Sequence, residues 1–186
     1  TMLFVAGSRR GHSLPMLGAA LPMIYELCWR VAYRRDRILA FMDPWQDPDG
    51  IGYHIIQSLI ALGSGGLAGR GLGAGIQKWH YLPEAHTDFI FSVLGEELGF
   101  LGTSALVVLF TVFVILGFRV ALRARDLFGS LIALGFTLLV GLQAAIHMAV
   151  VTASAPTKGI SLPVVSYGGS SLVVSFALAG ILGSVA

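Results

Sequence analysis

Three titratable side chains fall close together in Tyr81-Leu-Pro-Glu-Ala-His-Thr-Asp88, where Glu84, His86 and Asp88 stand just before an apolar run beginning at Phe89. A carboxylate at such a boundary between water and lipid can take a proton from a hydroxyl, the work of a general base. The same residue can equally cap a helix or act as an interfacial solvating charge. Metal ligation is a third chemistry, because His80, Glu84 and Asp88 follow one another at i, i+4 and i+8. Pro83 interrupts the helix that this spacing needs, so the spacing alone does not make a site.

A second polar stretch runs from Pro156-Thr-Lys158-Gly-Ile-Ser-Leu-Pro163 into Val-Val-Ser166-Tyr-Gly-Gly-Ser-Ser171. Its prolines preclude a regular helix, and Gly-Gly-Ser-Ser is placed to open the next helix with free N–H groups. Such a terminus with Lys158 nearby suits an anion such as a lipid phosphate. Ser170 or Ser171 can also serve as its N-cap. Glu96 and Glu97 are expected to open the apolar run from Leu98, where carboxylates stabilise the positive end of a helix dipole. Glu97, closer to that run, is also placed to line a polar cavity. Gln143 and His147 share one face of an otherwise apolar run and are expected to hydrogen-bond between helices.

The elements that must position these groups are membrane spans. Of 186 residues, 55% are hydrophobic and only 12% charged, against roughly 25% charged in soluble domains, which excludes an ordinary soluble globular protein. A net charge of +2 without a continuous basic stripe excludes an electrostatic nucleic-acid footprint. The single cysteine, Cys28, excludes an internal disulfide and a multi-cysteine metal cage. Leu98 to Phe118 and Leu127 to Val151 contain no Asp, Glu, Lys or Arg, and each can cross a ~30 Å hydrocarbon core at ~1.5 Å per residue. Leu14 to Val31 is a third expected span, with Glu26 and Arg30 near one end. Ser170 to Ala186 is a fourth, and Thr1 to Gly7 is the tail of another. The expected fold class is therefore all-α, a polytopic integral membrane protein with four spans plus the end of one more. A chain starting at Thr1, with apolar runs cut at Gly7 and Ala186, is expected to be part of a longer protein.

Short loops on alternate sides carry Arg9, Arg10, Arg119, Arg123 and Arg125 against Lys158 alone, so the positive-inside rule puts the arginine loops in the cytoplasm. Residues 32–89 then form a long extracytoplasmic loop, far beyond the usual 2 to 8 residues between bundle helices and thus the place to seek function. Within it, Asp43-Pro-Trp-Gln-Asp-Pro-Asp-Gly50 reads as consecutive turns. Ile55, Ile56, Leu59 and Ile60, with His54, Gln57 and Ser58 between them, predict a short helix on the membrane surface. Gly63 to Gly75 holds seven glycines in thirteen residues. It matches neither nucleotide-binding fingerprint and reads as a tightly turned loop.

Several of these strings stand together in one known family. Ala40-Phe-Met-Asp-Pro-Trp45, Gly52-Tyr-His-Ile-Ile-Gln-Ser58, Tyr81 to Phe91, Gly95-Glu-Glu-Leu-Gly99 and Leu162 to Ser171 closely resemble the SEDS family of shape, elongation, division and sporulation proteins. Asp43-Pro-Trp45, Gly71-Leu-Gly before Gln77-Lys78, and Pro83-Glu-Ala-His86 resemble the cell-division branch more than the elongation branch. His147 departs from the pattern, which has Asn after Gln143.

The resemblance implies a ten-span peptidoglycan glycosyltransferase of the bacterial cytoplasmic membrane, multi-pass, with its active site facing outside. It would polymerise lipid II during cell division, beside a class B penicillin-binding protein and other division or elongation proteins. Residues 1–186 would be the C-terminal part of a single transmembrane domain, inactive without the first half. Asp88 matches the family's essential acid and is the expected catalytic base. It would deprotonate the 4-hydroxyl of the acceptor GlcNAc for inverting attack on the donor MurNAc. The candidate substrate-binding residues are Lys158, Ser166, Tyr167, Gly168, Gly169, Ser170, Glu97, His86 and Thr87. No certain cofactor is implied; Lys158, a basic residue elsewhere, or a divalent Mg or Mn ion would stabilise the departing lipid pyrophosphate. The rival expectations are a lipid II flippase and a non-catalytic division scaffold.

Overall fold

A computed structural model describes residues 32–50, 52–76 and 87–185, together with Gly18, Pro22, Tyr25 and Glu26. The expected spans at Thr1 to Gly7 and Leu14 to Val31 lie essentially outside the described residues. Among those described, all regular structure is helical: α1 (Ala32–Met42), a 3₁₀ turn (Pro44–Gln46), α2 (Tyr53–Gly65), α3 (Ile90–Arg123), α4 (Leu127–Val151) and α5 (Gly169–Val185).

Two of these helices, α3 and α4, are long and apolar enough to cross a membrane. A soluble core helix of that composition would be mostly buried, yet only 11% and 33% of their most apolar windows are covered, so their outer faces suit lipid. α5, at 17 residues, is shorter than the other two. The turn between α3 and α4 is capped at Asp126, whose carboxylate accepts the Gly129 N–H at 2.8 Å. Across it, the Ser130 hydroxyl donates to the Ala121 carbonyl at 2.7 Å. Further along, a Cβ on Gly117 would collide with the Thr137 hydroxyl, so glycine lets the two helices approach closely, as small residues do in lipid.

Two expectations are corrected here. Helix α3 begins at Ile90 rather than near Leu98, and it is broken at Gly99, which has φ 66° and ψ −162°. Glu96 and Glu97 thus do not open a span; they end the short helical segment before the break, where the dipole disfavours carboxylates. Residues 66–76 resolve the backbone problem the break creates. Gly66 and Leu67 carbonyls accept the Phe100 and Leu101 N–H groups at 2.9 and 3.1 Å, while Arg70 and Gly71 N–H groups donate to the Glu96 and Glu97 carbonyls, both at 3.0 Å. The Glu96 side chain, 0% exposed, accepts the Ile76 N–H at 2.9 Å and pairs with Arg70 at 3.4 Å. The glycine series is indeed a tight loop, and its job is to clamp this break.

The second correction concerns α2. Its buried face holds Ile55, Ile56, Ser58 and Ala61, whereas Leu59 and Ile60 are exposed. Ser58 therefore belongs to the packed side rather than the polar one. Its hydroxyl donates to the Val151 carbonyl at 2.7 Å and meets the Ser92 hydroxyl at 2.7 Å, tying α2 to α3 and α4. Phe89, Phe91, Val93 and Val151 form the core beneath it. The 32–89 segment is thus partly built of packed helices.

Candidate functional site

Asp88 lies just before α3, whose N-cap is Phe89 without a side-chain capping bond. The carboxylate therefore does not cap the helix, which removes that reading. Instead it meets the loop between α4 and α5: a Cβ on Gly159 would stand 2.8 Å from its Oδ2. Glycine at 159 lets the loop backbone lie directly on the acid.

Four side chains hold that loop. Ser166, 1% exposed, accepts the Leu162 N–H at 2.7 Å and donates to the Thr87 carbonyl at 2.7 Å, fastening the loop to the residue before Asp88. Gln143 donates to the Ser161 carbonyl at 2.9 Å, and His147 Nδ1 lies 2.7 Å from the Ile160 carbonyl. These two residues bond loop backbone rather than a neighbouring helix, contrary to expectation, because the non-helical loop leaves its carbonyls without helical partners. From α1, Arg37 donates to the Thr157 carbonyl at 3.0 Å. The loop also holds Val164 at φ 67°, a strained conformation for a β-branched residue that persists only where surroundings enforce it. Buried Leu162 and Pro163 and the paired Ser166 do so.

Of the expected substrate-binding residues, Lys158 is exposed next to Gly159, and Tyr167 is 81% exposed. Gly168 precedes α5; Gly169 and Ser170 lie in its first turn and are exposed. Ser170 and Ser171 are thus inside the helix rather than at its cap. Ser166 is brought to the site but its hydroxyl is committed within the protein. Thr87 is half-buried beside Asp88. Glu97 belongs with the clamp at the break, its side chain against Gly75. His86, with His80 and Glu84, lies outside the described residues. Among described residues, no three His, Cys, Asp or Glu side chains gather as a metal site.

Two basic groups join from remote sequence. Besides Arg37, the His54 ring stacks on Phe89 with centroids 6.0 Å apart and planes within 10°. Burial first, and then the Arg37 charge, hold the His54 imidazole below its ordinary range. Neither position carries a local signal of this role: Arg37 is one of several arginines in a helix, and His54 stands between Tyr53 and Ile55-Ile56. A cavity of about 730 Å³ lies elsewhere, between α2 and α3, lined mainly by apolar residues such as Leu62, Phe91, Phe100 and Val107 together with Thr103, Ser104 and Thr152; Asp88 is not among its lining residues.

Comparison with known proteins places this arrangement. The FtsW/RodA/SpoVE family model, described as cell cycle protein, matches residues 1–186. A probable peptidoglycan glycosyltransferase FtsW of Geobacter metallireducens is 52% identical over 181 residues, covering 97% of this chain and 48% of the relative. Stage V sporulation protein E of Bacillus subtilis is 46% identical, covering 97% of this chain and 50% of that protein. The chain spans about half the length of the curated relatives it matches. A solved structure described as "Structural coordination of polymerization and crosslinking by a peptidoglycan synthase complex" superposes with TM-score 0.71 at 30% identity, over 97% of this chain and 50% of that one. A crystal structure of a mutant Thermus thermophilus rod shape determining protein RodA gives TM-score 0.51 at 34% identity, over 67% of this chain and 37% of the other.

Proposed function

This chain belongs to the FtsW/RodA/SpoVE family of cell cycle proteins, and from that membership we propose that the protein polymerises lipid II into glycan strands. Its apolar helices and its family make it a membrane protein. Its place is the cytoplasmic membrane, with Asp88 on the outer face, in a division complex with a class B penicillin-binding protein. The observation that carries the reading is the approach of Asp88 to the loop at Gly159, at an end of the apolar helices where a lipid-linked sugar is reachable.

A sugar hydroxyl is a weak nucleophile near neutral pH, whereas a polyprenyl pyrophosphate is already a good leaving group. The missing element is a base. Asp88 takes the proton of the acceptor GlcNAc 4-hydroxyl as its oxygen attacks the anomeric carbon of the donor MurNAc, which inverts. Lys158, one residue from the glycine that lies on Asp88, stabilises the departing pyrophosphate; a Mg or Mn ion, if bound with that pyrophosphate, would supply further positive charge. A flippase would need free polar groups along its spans; the Gln143 side-chain amide and the Nδ1 of His147 are engaged with loop carbonyls, which favours polymerisation.

The test is polymerisation of purified lipid II by the full-length protein with its transpeptidase partner. Wild type is expected to form glycan chains and Asp88→Asn to lose that activity while still folding and binding the partner. An Asn variant near the wild-type rate would remove the base assignment. Lipid II crossing vesicle membranes without polymerisation would replace the reading by transport.

A further inference from the structure

Residues 50–77 contain a single Asp, Glu, Lys or Arg, which is Arg70, although they lie outside the two helices long enough to cross a membrane. Within this stretch the glycine loop turns its large side chains outward: Leu67 is 74% exposed, Leu72 78% and Ile76 52%. Exposed apolar surface gathered in one short segment marks a place of interaction.

The loop is fastened to α3 at one end of its apolar run. Residues 98–118 are free of charged side chains and lie between Glu97 and Arg119; at ~1.5 Å per residue they match a ~30 Å hydrocarbon core. The break at Gly99 therefore falls at the boundary of that core, at the end away from Arg119. There the Leu67 carbonyl accepts the Leu101 N–H, and Phe100 and Leu101 are exposed like Leu67 itself. The surface of the loop thus continues the lipid-facing surface of α3, which runs on through Val108 and Leu109.

Backbone and charge both suit a lipid neighbour. Non-helical backbone is admitted at membrane depth only where its polar groups are satisfied by protein. Five loop N–H groups, those of Gly69, Arg70, Gly71, Ala74 and Ile76, have acceptors within the protein, and the Gly66 and Leu67 carbonyls take the N–H groups freed by the break. Arg70 pairs with the buried Glu96 carboxylate at 3.4 Å while 41% of its side chain stays exposed. From such a position a guanidinium reaches phosphate headgroups with its stem along apolar surface. A basic side chain among leucines matches what a phospholipid offers, phosphate above and hydrocarbon below.

We propose that residues 66–76 are a lipid-contacting loop, set into the leaflet at the Asp88 end of α3, with Leu67, Leu72 and Ile76 among the acyl chains and Arg70 at the headgroups. The helical segment that follows Asp88 joins the span at the Gly99 break. A loop seated in lipid at that break holds the acid at a fixed place relative to the membrane. This contact does not depend on the glycosyltransferase reading, and its tests need no turnover.

The experiment uses the full-length protein, its native cysteines including Cys28 replaced by alanine, in vesicles of phosphatidylethanolamine and phosphatidylglycerol. A nitroxide is attached to a single cysteine introduced at Leu72 or, as a water reference, at the exposed Asp49. Collisions with oxygen, which concentrates in hydrocarbon, are compared with collisions with a water-soluble nickel chelate. Oxygen is expected to dominate several-fold at Leu72 and the chelate at Asp49. Chelate dominating at Leu72 overturns the proposal in favour of a loop in water, and protection from both overturns it in favour of a cover made of protein. Ile76→Cys carries the same expectation should the Leu72 variant fold poorly.

A second measurement leaves the sequence untouched. Wild type in the same vesicles, doped with a phospholipid bearing a diazirine on one acyl chain, is photolysed and digested with trypsin. Cleavage after Arg70 and Lys78 releases residues 71–78, which hold Leu72 and Ile76. That peptide is expected to carry the lipid adduct; its absence there, with adducts present on peptides of α3, overturns the proposal.

Discussion

Two loops press on α3, and they do so by opposite means. Residues 66–76 clamp the break at Gly99 with main-chain hydrogen bonds in both directions, and the buried carboxylate there, Glu96, is bound to Arg70 and Ile76. Residues 152–168 instead lie on Asp88 and are held by side chains sent from elsewhere, Gln143, His147 and Arg37, and by the loop's own Ser166 bonded to Thr87. This second loop exposes Lys158 and Tyr167, and the Nε2 of His147 beside it has no hydrogen-bond partner among the described residues. A loop that pairs its backbone with a broken helix holds shape; a loop suspended from side chains over an acid leaves Lys158 and Tyr167 exposed beside it.

The sharpest way to break that comparison is at Asp88. Asp88→Asn should lower lipid II polymerisation by roughly 10²- to 10⁴-fold, the usual worth of a general base, with little change in thermal unfolding of the purified protein. A large fall in melting temperature at unchanged specific activity would mean that Asp88 serves structure after all.

Gly99→Ala should do the reverse. Its φ and ψ lie in a region that only glycine occupies readily, and its Cβ would collide with the Gly69 nitrogen. Backbone strain and overpacking together should cost roughly 2 to 6 kcal/mol, read as a lower unfolding midpoint. The fraction that folds should retain turnover. Unchanged stability would show that residues 66–76 do not clamp the break.

Ser166→Ala should affect both properties, because this residue joins the 152–168 loop to Thr87. Loss of its oxygen leaves the Leu162 N–H without its acceptor, at a cost of about 1 to 3 kcal/mol, and removes the bond from Ser166 to the Thr87 carbonyl. Polymerisation should fall further than stability alone explains, and Ser166→Thr, if it fits, should restore part of it. Activity that follows stability in strict proportion would reduce Ser166 to a packing residue.

The two loops were unequally legible in the sequence. Prolines, Lys158 and the glycine-serine run mark 156–171 as a functional segment, and Asp88 stands out beside an apolar run. Helix α4 is bounded as expected, because its charge-free stretch is flanked by Arg125-Asp126 and Thr152. The start of α3 was not legible: Phe89 to Leu94 is too short to register as a helix, and the break at Gly99 is set by residues about thirty positions away. Pairings such as Arg37 with Thr157, separated by 120 residues, and the buried side of Ser58 depend on tertiary contact and leave no periodic trace. His147 carried a signal, a polar group in an apolar run, but its direction toward the loop carbonyl needed coordinates.

The smallest effect concerns His54, which belongs to α2 and stacks on Phe89, whereas His147 belongs to α4 and holds the loop at Ile160. Its Nδ1 is buried without a partner among the described residues, and burial, then the Arg37 charge, depress its affinity for a proton. In the unfolded chain the imidazole titrates near its ordinary value, about 6.5. The fold therefore holds the ring neutral in a window, below about 6.5 and above the depressed value, where the unfolded chain is already protonated. Stability is at its full value above that window and declines as pH falls through it. Wild type should accordingly melt at a modestly lower temperature at about pH 5.5 than at about pH 7.5, and His54→Phe, which keeps a ring on Phe89 but cannot titrate, should show a smaller difference. Parallel pH dependence in the two proteins would assign the decline to other groups and leave His54 as a packing residue alone.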